Sequence, residues 1–135
     1  MSEQASAIIN AKRAAQLNDF GGLRDGKKMP TDIDGLIEYQ NKAYLLMEIK
    51  YGDKEIPIGQ RIALERMAHD FDRLGKKTSV ILIEHHIHDT NKQVPVAMCR
   101  VREIYDVKAK RWRQPKKELT AKQAVDAFYN WVDSR

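Results

Sequence analysis

The sequence lacks the features that mark several large classes of protein. It has one cysteine, Cys99, which excludes an internal disulfide and a multi-thiolate zinc site. Cys99 lies in an apolar stretch, Val96-Ala97-Met98-Cys99, and reads as a small buried side chain in a reducing, cytoplasmic compartment. The apolar runs are short, such as Val80-Ile81-Leu82-Ile83, whereas a membrane-spanning helix needs about 20 apolar residues. No membrane partner is therefore expected. Met1-Ser2-Glu3-Gln4 has neither a basic flank nor an apolar stretch, so no secretory signal is expected. There is no internal repeat, no low-complexity segment, no glycine-rich phosphate loop and no Ser/His/Asp arrangement.

What is present is the composition of a folded domain. The 135 residues suit one domain over 1–135, with little room for a second. Apolar residues make up 42% and charged residues 32%, more apolar content than a disordered chain carries. The net charge of +5 is compatible with a phosphate-rich partner.

Periodicity predicts an α/β chain. Ile8, Ala11 and Ala15 share one face of a helix over residues 5–18. Alternation predicts strands over 31–39 and 43–50, joined by the polar loop Gln40-Asn41-Lys42. A helix follows over 59–74, with Leu64, Met67, Phe71 and Leu74 as its stripe and Gly75 as its stop. Further strands are predicted over 78–85 and 96–105, the first continuous enough to be central. Thr120 and Gln123 form a capping-box pattern, with Leu119 and Ala124 as its staple, ahead of a helix over 121–133. The order α-β-β-α-β-β-α implies a mixed central sheet flanked by helices, with the core over about 5–105 and a basic loop and helix over 106–135.

One constellation carries chemistry. Pro30-Thr31-Asp32-Ile33-Asp34-Gly35 is followed by Glu48-Ile49-Lys50, with thirteen residues between Asp34 and Glu48. Asp34 and Glu48 interrupt strands that are otherwise apolar, and a buried carboxylate is costly unless a cation or hydrogen-bond donors compensate. Glu48 and Lys50 are two apart and share a strand face. If the loop is Gln40-Asn41-Lys42, Tyr39 pairs with Ala43, Asp34 falls opposite Glu48 and Asp32 opposite Lys50. A two-residue turn would put Asp34 and Glu48 on opposite faces. Two carboxylates with an open side can hold Mg²⁺ or Mn²⁺ and leave positions for water and a phosphate. The backbone carbonyl of Ile49 can complete such a shell. A neighbouring lysine can position or help deprotonate the attacking water.

This arrangement resembles the PD-(D/E)XK, or restriction-endonuclease-like, nuclease superfamily, over roughly residues 5–85 and in a form similar to small phage or prophage nucleases. The resemblance implies a restriction-endonuclease-like core and a Mg²⁺-dependent deoxyribonuclease in a bacterial or phage-infected cell. It makes Asp34 and Glu48 metal ligands and Lys50 the catalytic lysine. Relatives of junction resolvases and recombination exonucleases often carry a glutamine at the start of the next helix, the place of Gln60. An acidic residue in the first helix is also frequent in the family; here only Glu3 and Asp19 are candidates, and no strand is evident ahead of Asp32. Cutting both strands needs two active sites, which a homodimer would supply. The alternatives are a catalytically silent nuclease fold that only binds DNA and a phage factor acting through protein–protein contact.

Lys108-Ala109-Lys110-Arg111-Trp112-Arg113-Gln114-Pro115-Lys116-Lys117 reads as a basic loop. Lys110, Arg111 and Arg113 could follow a phosphate backbone while Trp112 stacks on a base, or the tryptophan could pack on the core. Lys27, Lys28 and Lys54 could add phosphate contacts. Glu84-His85-His86-Ile87-His88 reads as a solvated strand end, because no helical histidine follows it. His69, Asp70 and Asp72 read as surface residues.

Overall fold

A computed structural model describes residues 21–134. The expected helix over 5–18, with Glu3 and Asp19, lies outside the described residues. The chain divides into two compact units, Met1–Asp32 and Ile33–Arg135. In the first, Gly21–Leu23 forms a single 3₁₀ turn. Asp25 and Lys28 then exchange two backbone hydrogen bonds of 3.0 Å around Gly26, whose φ of +64° suits a residue without a Cβ. Lys27 and Lys28 are exposed in this unit.

The second unit is built on a five-stranded mixed sheet in the order β1-β2-β3-β4-β5. The strands are β1 (Gly35–Tyr39), β2 (Ala43–Tyr51), β3 (Lys77–His85), β4 (Arg100–Asp106) and β5 (Arg111–Arg113); α1 (Ile58–Arg73) links β2 to β3, and α2 (Ala121–Asp133) closes the chain. Strands β2 and β3 are parallel, as a helical crossover requires, and the other neighbours are antiparallel. The α/β class and mixed sheet match the sequence reading; β5 is an addition to it.

The β1–β2 hairpin has the register that the loop length demands. Tyr39 pairs with Ala43 and Gly35 with Met47. The turn closes with the Lys42 amide donating to the Tyr39 carbonyl at 2.8 Å. Gln40 and Asn41 adopt φ of 50° and 58°, the left-handed pair whose twist suits a hairpin. Asn41 tolerates this conformation better than most residues. Gly35 lies against Met47, whose Cε would stand 3.1 Å from any Cβ added there.

Alternation then sorts the sheet's side chains onto two cores. Leu46, Val80, Leu82 and Tyr105 pack with Leu64 and Ala68 of α1. Ala43, Leu45, Ile81, Ile83 and Val101 pack with Ala121, Ala124, Phe128 and Val132 of α2. β2 and β3 are thus apolar on both faces, as central strands covered by helices must be. The core accordingly extends through α2 rather than ending near residue 105.

Helix ends follow local rules. Gly75 sits just past α1 with φ of +83°. Its amide bonds the Asp72 carbonyl at 2.9 Å and the Lys76 amide bonds that of Phe71 at 3.0 Å, the paired bonds of a Schellman stop. Thr120 and Gln123 make both bonds of the capping box.

Some boundaries differ from expectation. β1 begins at Gly35 rather than residue 31, because the next ladder donor is taken by a side chain, as described below. Residues Val96–Met98 form a 3₁₀ turn, and the fourth strand starts only at Arg100. Leu74 is 74% exposed; it caps α1 instead of joining the stripe. The basic segment is not a continuous loop. Lys110 turns the chain with φ of +58°, and Arg111–Arg113 then pairs with Ile104–Asp106. His69 is not simply on the surface, since its Nε2 lies 2.7 Å from the buried Tyr105 hydroxyl.

Phe128 is the largest α2 side chain in its core, 5% exposed. Phe128→Ala is expected to cost about 3–5 kcal/mol through lost burial and the cavity left behind. Denaturant unfolding measures this; a loss below about 1 kcal/mol would mean α2 is not part of the cooperative core.

Candidate metal centre

The centre grows from the alternation of β2. Glu48 and Lys50 follow Leu46 on the face that α1 covers. Glu48 is 1% exposed, an expensive place for a carboxylate. Lys50 Nζ lies 4.0 Å from Glu48 Oε1, and its side chain is 22% exposed. The ammonium is therefore close enough to offset the charge yet retains access to solvent.

Asp34 stands one residue ahead of β1 and is exposed. Its Oδ2 accepts the Ile49 backbone N–H at 2.8 Å. The side chain takes the place of a backbone acceptor and ends the β1–β2 ladder, so the strand starts at Gly35. A carboxylate used in this way has one oxygen fixed and the other left for a ligand. Asp34 therefore does not interrupt a buried strand, as the alternation suggested; it terminates an exposed one.

Asp32 closes the first unit, two residues before Asp34. Within the second unit, carboxylate oxygens of Asp34 and Glu48 lie within 4.8 Å of one another, with Glu48 buried. Such a set of hard oxygen donors fits Mg²⁺, Mn²⁺ or Ca²⁺ by its chemistry. Gln60 is half-buried in the first turn of α1. At Ile49, the group engaged with the site is its amide.

A second charged group adjoins Lys50. Across the β2–β3 ladder, Lys50 pairs with Glu84. Glu84 Oε1 accepts from Arg100 Nη1 at 2.9 Å and from Arg102 Nε at 3.2 Å, while Oε2 lies 2.9 Å from His86 Nε2. The Arg102 guanidinium also donates to the carbonyls of Gly52 at 2.7 Å and Lys54 at 2.8 Å. It thereby holds the loop that leads from Lys50 toward Gln60. Arg102 escaped the sequence reading because its partners come from β3 and from a loop that lie far away in the chain.

The remaining candidates fall elsewhere. Trp112 packs beside Tyr105 with ring centroids 5.2 Å apart, donates from Nε1 to Glu65 at 2.7 Å, and has the Arg61 guanidinium 4.6 Å above its ring. Trp112 is thus partly buried against the core on the α1 face. Lys110, Arg111 and Arg113 are exposed on the β4–β5 hairpin, and Lys54 is exposed in the loop after β2. His86 and His88 are exposed; His88 bonds Tyr51, so this strand end is polar but tied together. Burial pushes the Cys99 thiol above its ordinary pKa, which disfavours a thiolate nucleophile. Among the described residues no helix is long and apolar enough to cross a membrane.

Comparison with known protein families, with curated proteins and with solved structures finds no match. The functional reading therefore rests on the residues themselves.

Burial pushes the Glu84 carboxyl up, but hydrogen bonds from His86 and Arg102 and the charges of Arg100 and Arg102 outweigh it and hold the group below the ordinary glutamate value of 4.5. A depressed folded-state pKa adds stability above the unfolded value, and that stability is lost as pH falls through the folded one. Unfolding midpoints should therefore drop on acidification below about pH 4.5. Glu84→Gln should lower stability at neutral pH and flatten this acid limb. An acid limb identical in parent and variant would contradict the assignment.

Proposed function

We propose that the chain is a divalent-metal-dependent DNA nuclease with a restriction-endonuclease-like core of the PD-(D/E)XK type. The observation that carries this reading is the β1–β2 register. It brings the Asp34 and Glu48 carboxylates together and leaves Lys50 within 4.0 Å of Glu48. A solvated strand face would not need a 1% exposed carboxylate at its centre.

In this reading Asp34, Glu48 and the carbonyl of Ile49 would hold Mg²⁺ or Mn²⁺, with Asp32 the further ligand expected from the sequence. The bound ion would lower the pKa of a water and offset charge on the phosphate. Lys50 sets a compact cation beside Glu48, where it can orient the water and stabilise charge developing on phosphate oxygens. Gln60, in the first turn of α1, would donate or accept a hydrogen bond if it reaches the ligand. Lys110, Arg111 and Arg113, with Lys27, Lys28 and Lys54, supply phosphate contacts, which set salt-dependent affinity rather than rate.

Cleavage of several DNA forms in Mg²⁺, beside binding in Ca²⁺, tests the assignment. Lys50→Ala should lower the cleavage rate by ~100-fold or more and change affinity by less than about twofold, because one lysine is a small share of the phosphate contacts. Cutting at the parent rate would overturn it. Unchanged binding with no cleavage by the parent would favour a silent DNA-binding fold.

The metal assignment has its own readout. Millimolar Mg²⁺ or Mn²⁺ should raise the melting temperature, because binding to the folded state stabilises it by about 2.7 kcal/mol at a hundredfold excess over Kd. Asp34→Asn should remove most of that gain. A melting curve unmoved by either ion in the parent would sink the metal centre.

A further inference from the structure

The other end of the sheet carries a cleft of different chemistry. β3 is laddered to β2 along its whole length, from Lys77 to His85. Its ladder to β4 begins only at Val80, opposite Tyr105. On its other edge β4 pairs with β5 over Ile104–Asp106. The β3–β4 ladder thus stops short of Lys77–Ser79, and a cavity of about 610 Å³ is lined there by Lys77–Ser79 and by Asp106–Lys108. That volume is in the range of small-molecule sites, about 300–1,000 Å³. Strand pairing separates it from the metal centre: Lys77 pairs with Ala43 at one end of β2, whereas Lys50 pairs with Glu84 at the other.

The charges around the cleft are unbalanced in a specific way. Of its two acids, Asp72 is ion-paired and Asp106 keeps its charge, against the four cations Lys76, Lys77, Lys108 and Arg113. Asp72 pairs with Lys108 at 3.2 Å, and Asp106 accepts the Ala109 amide of the β4–β5 turn at 3.0 Å. Its other cations are held by neutral acceptors. Lys76 Nζ bonds Asn41 Oδ1 at 2.6 Å, and Lys77 Nζ bonds the Trp131 carbonyl at 2.9 Å. Arg113 is exposed on the rim, and no ion pair of Lys76, Lys77 or Arg113 is found among the described residues. Carbonyl groups thus orient ammonium groups without cancelling their charge, as an anion site needs. Trp131 also lines the cleft, 45% exposed, with the Lys77 ammonium 5.3 Å from its ring centroid. Cations beside an accessible indole match a ligand with a phosphate and a planar ring.

We propose that this cleft binds a nucleotide, its phosphates among Lys76, Lys77 and Arg113 and its base against Trp131, at a site separate from Asp34, Glu48 and Lys50. The same chemistry is offered by a free nucleotide and by the 5′-phosphorylated end of a DNA strand. Ser79 on the floor can donate a hydrogen bond to a phosphate oxygen.

Trp131 provides the readout. In a Trp112→Phe background it is the sole tryptophan, so its fluorescence can be titrated with adenosine 5′-diphosphate, with a 5′-phosphorylated oligonucleotide and with the same oligonucleotide lacking that phosphate. Ca²⁺ replaces Mg²⁺ throughout. A saturable change is expected with the diphosphate, or with the phosphorylated strand alone if strand ends are the source. Lys76→Ala with Arg113→Ala should weaken it at least tenfold, and Ser79→Asp should do the same by placing a carboxylate on the floor. Lys116→Ala with Lys117→Ala, which removes equal charge elsewhere, should leave affinity within about twofold, as a non-specific field effect would not. Lys50→Ala should also leave it unchanged, so failure here and failure of the nuclease reading are told apart. No saturable change with any probe would overturn the proposal, as would equal weakening in both double variants or binding indifferent to the 5′-phosphate and to Lys76 and Arg113.

Discussion

The hydrogen bond from the Ile49 amide to the Asp34 carboxylate is the constraint on which the candidate centre depends. Ile49 lies between Glu48 and Lys50, so a group that holds its amide fixes the strand between the two functional side chains. The bond forms only because the Gln40–Lys42 loop has the right parity. One residue more or fewer would turn Glu48 and Lys50 to the opposite face and bring Ile49 under α1. Loop length, ladder end and carboxylate placement are thus one decision made by a few residues. A charged acceptor also makes a stronger bond than a neutral carbonyl, which suits the last rung of a ladder.

Around that rung, the protein uses charge to hold backbone. Arg102 gathers the carbonyls of Gly52 and Lys54 and the carboxylate of Glu84. Its planar fork can meet several acceptors at once, which a lysine cannot. The Gly52 amide meanwhile bonds the His85 carbonyl at 2.8 Å, carrying the β2–β3 ladder past its last residue pair. The loop between Lys50 and Gln60 is therefore tied at several points although its own residues 53–55 are exposed. A rigid loop is needed if side chains on β2 and α1 are to meet one ligand.

Much of this was legible in the sequence because the signals are local. The Gly75 stop, the Thr120–Gln123 box and the two-residue alternation of β2 each depend on residues within a turn or a strand of one another. The hairpin register followed from loop parity alone. Three things were not legible. β5 is three residues long and is made of Arg-Trp-Arg, and its strand character comes from Trp112 finding Tyr105 and Arg61 across the fold. Where β1 begins was hidden because alternation cannot tell a ladder residue from a side chain that replaces one. Arg102 and Glu84 were invisible as a pair because strand order, unlike strand identity, is not written in any window of the chain.

Among the described residues the outer strands of the sheet are β1 and β5, of five and three residues. An edge strand presents unpaired amides and carbonyls to any other extended chain, and long, flat edges promote runaway pairing. Here one border stops where Asp34 bends out of the ladder, and the other carries Arg111 and Arg113 flanking a tryptophan turned inward. Two copies meeting along that border would bring guanidinium groups together. The sheet is consequently a poor template for its own extension, although its central strands Leu45–Ile49 and Val80–Ile83 are apolar enough to aggregate if exposed. The short borders leave little edge on which another extended chain could pair, so any barrier to fibre-like growth lies at the margins of the sheet rather than in its core.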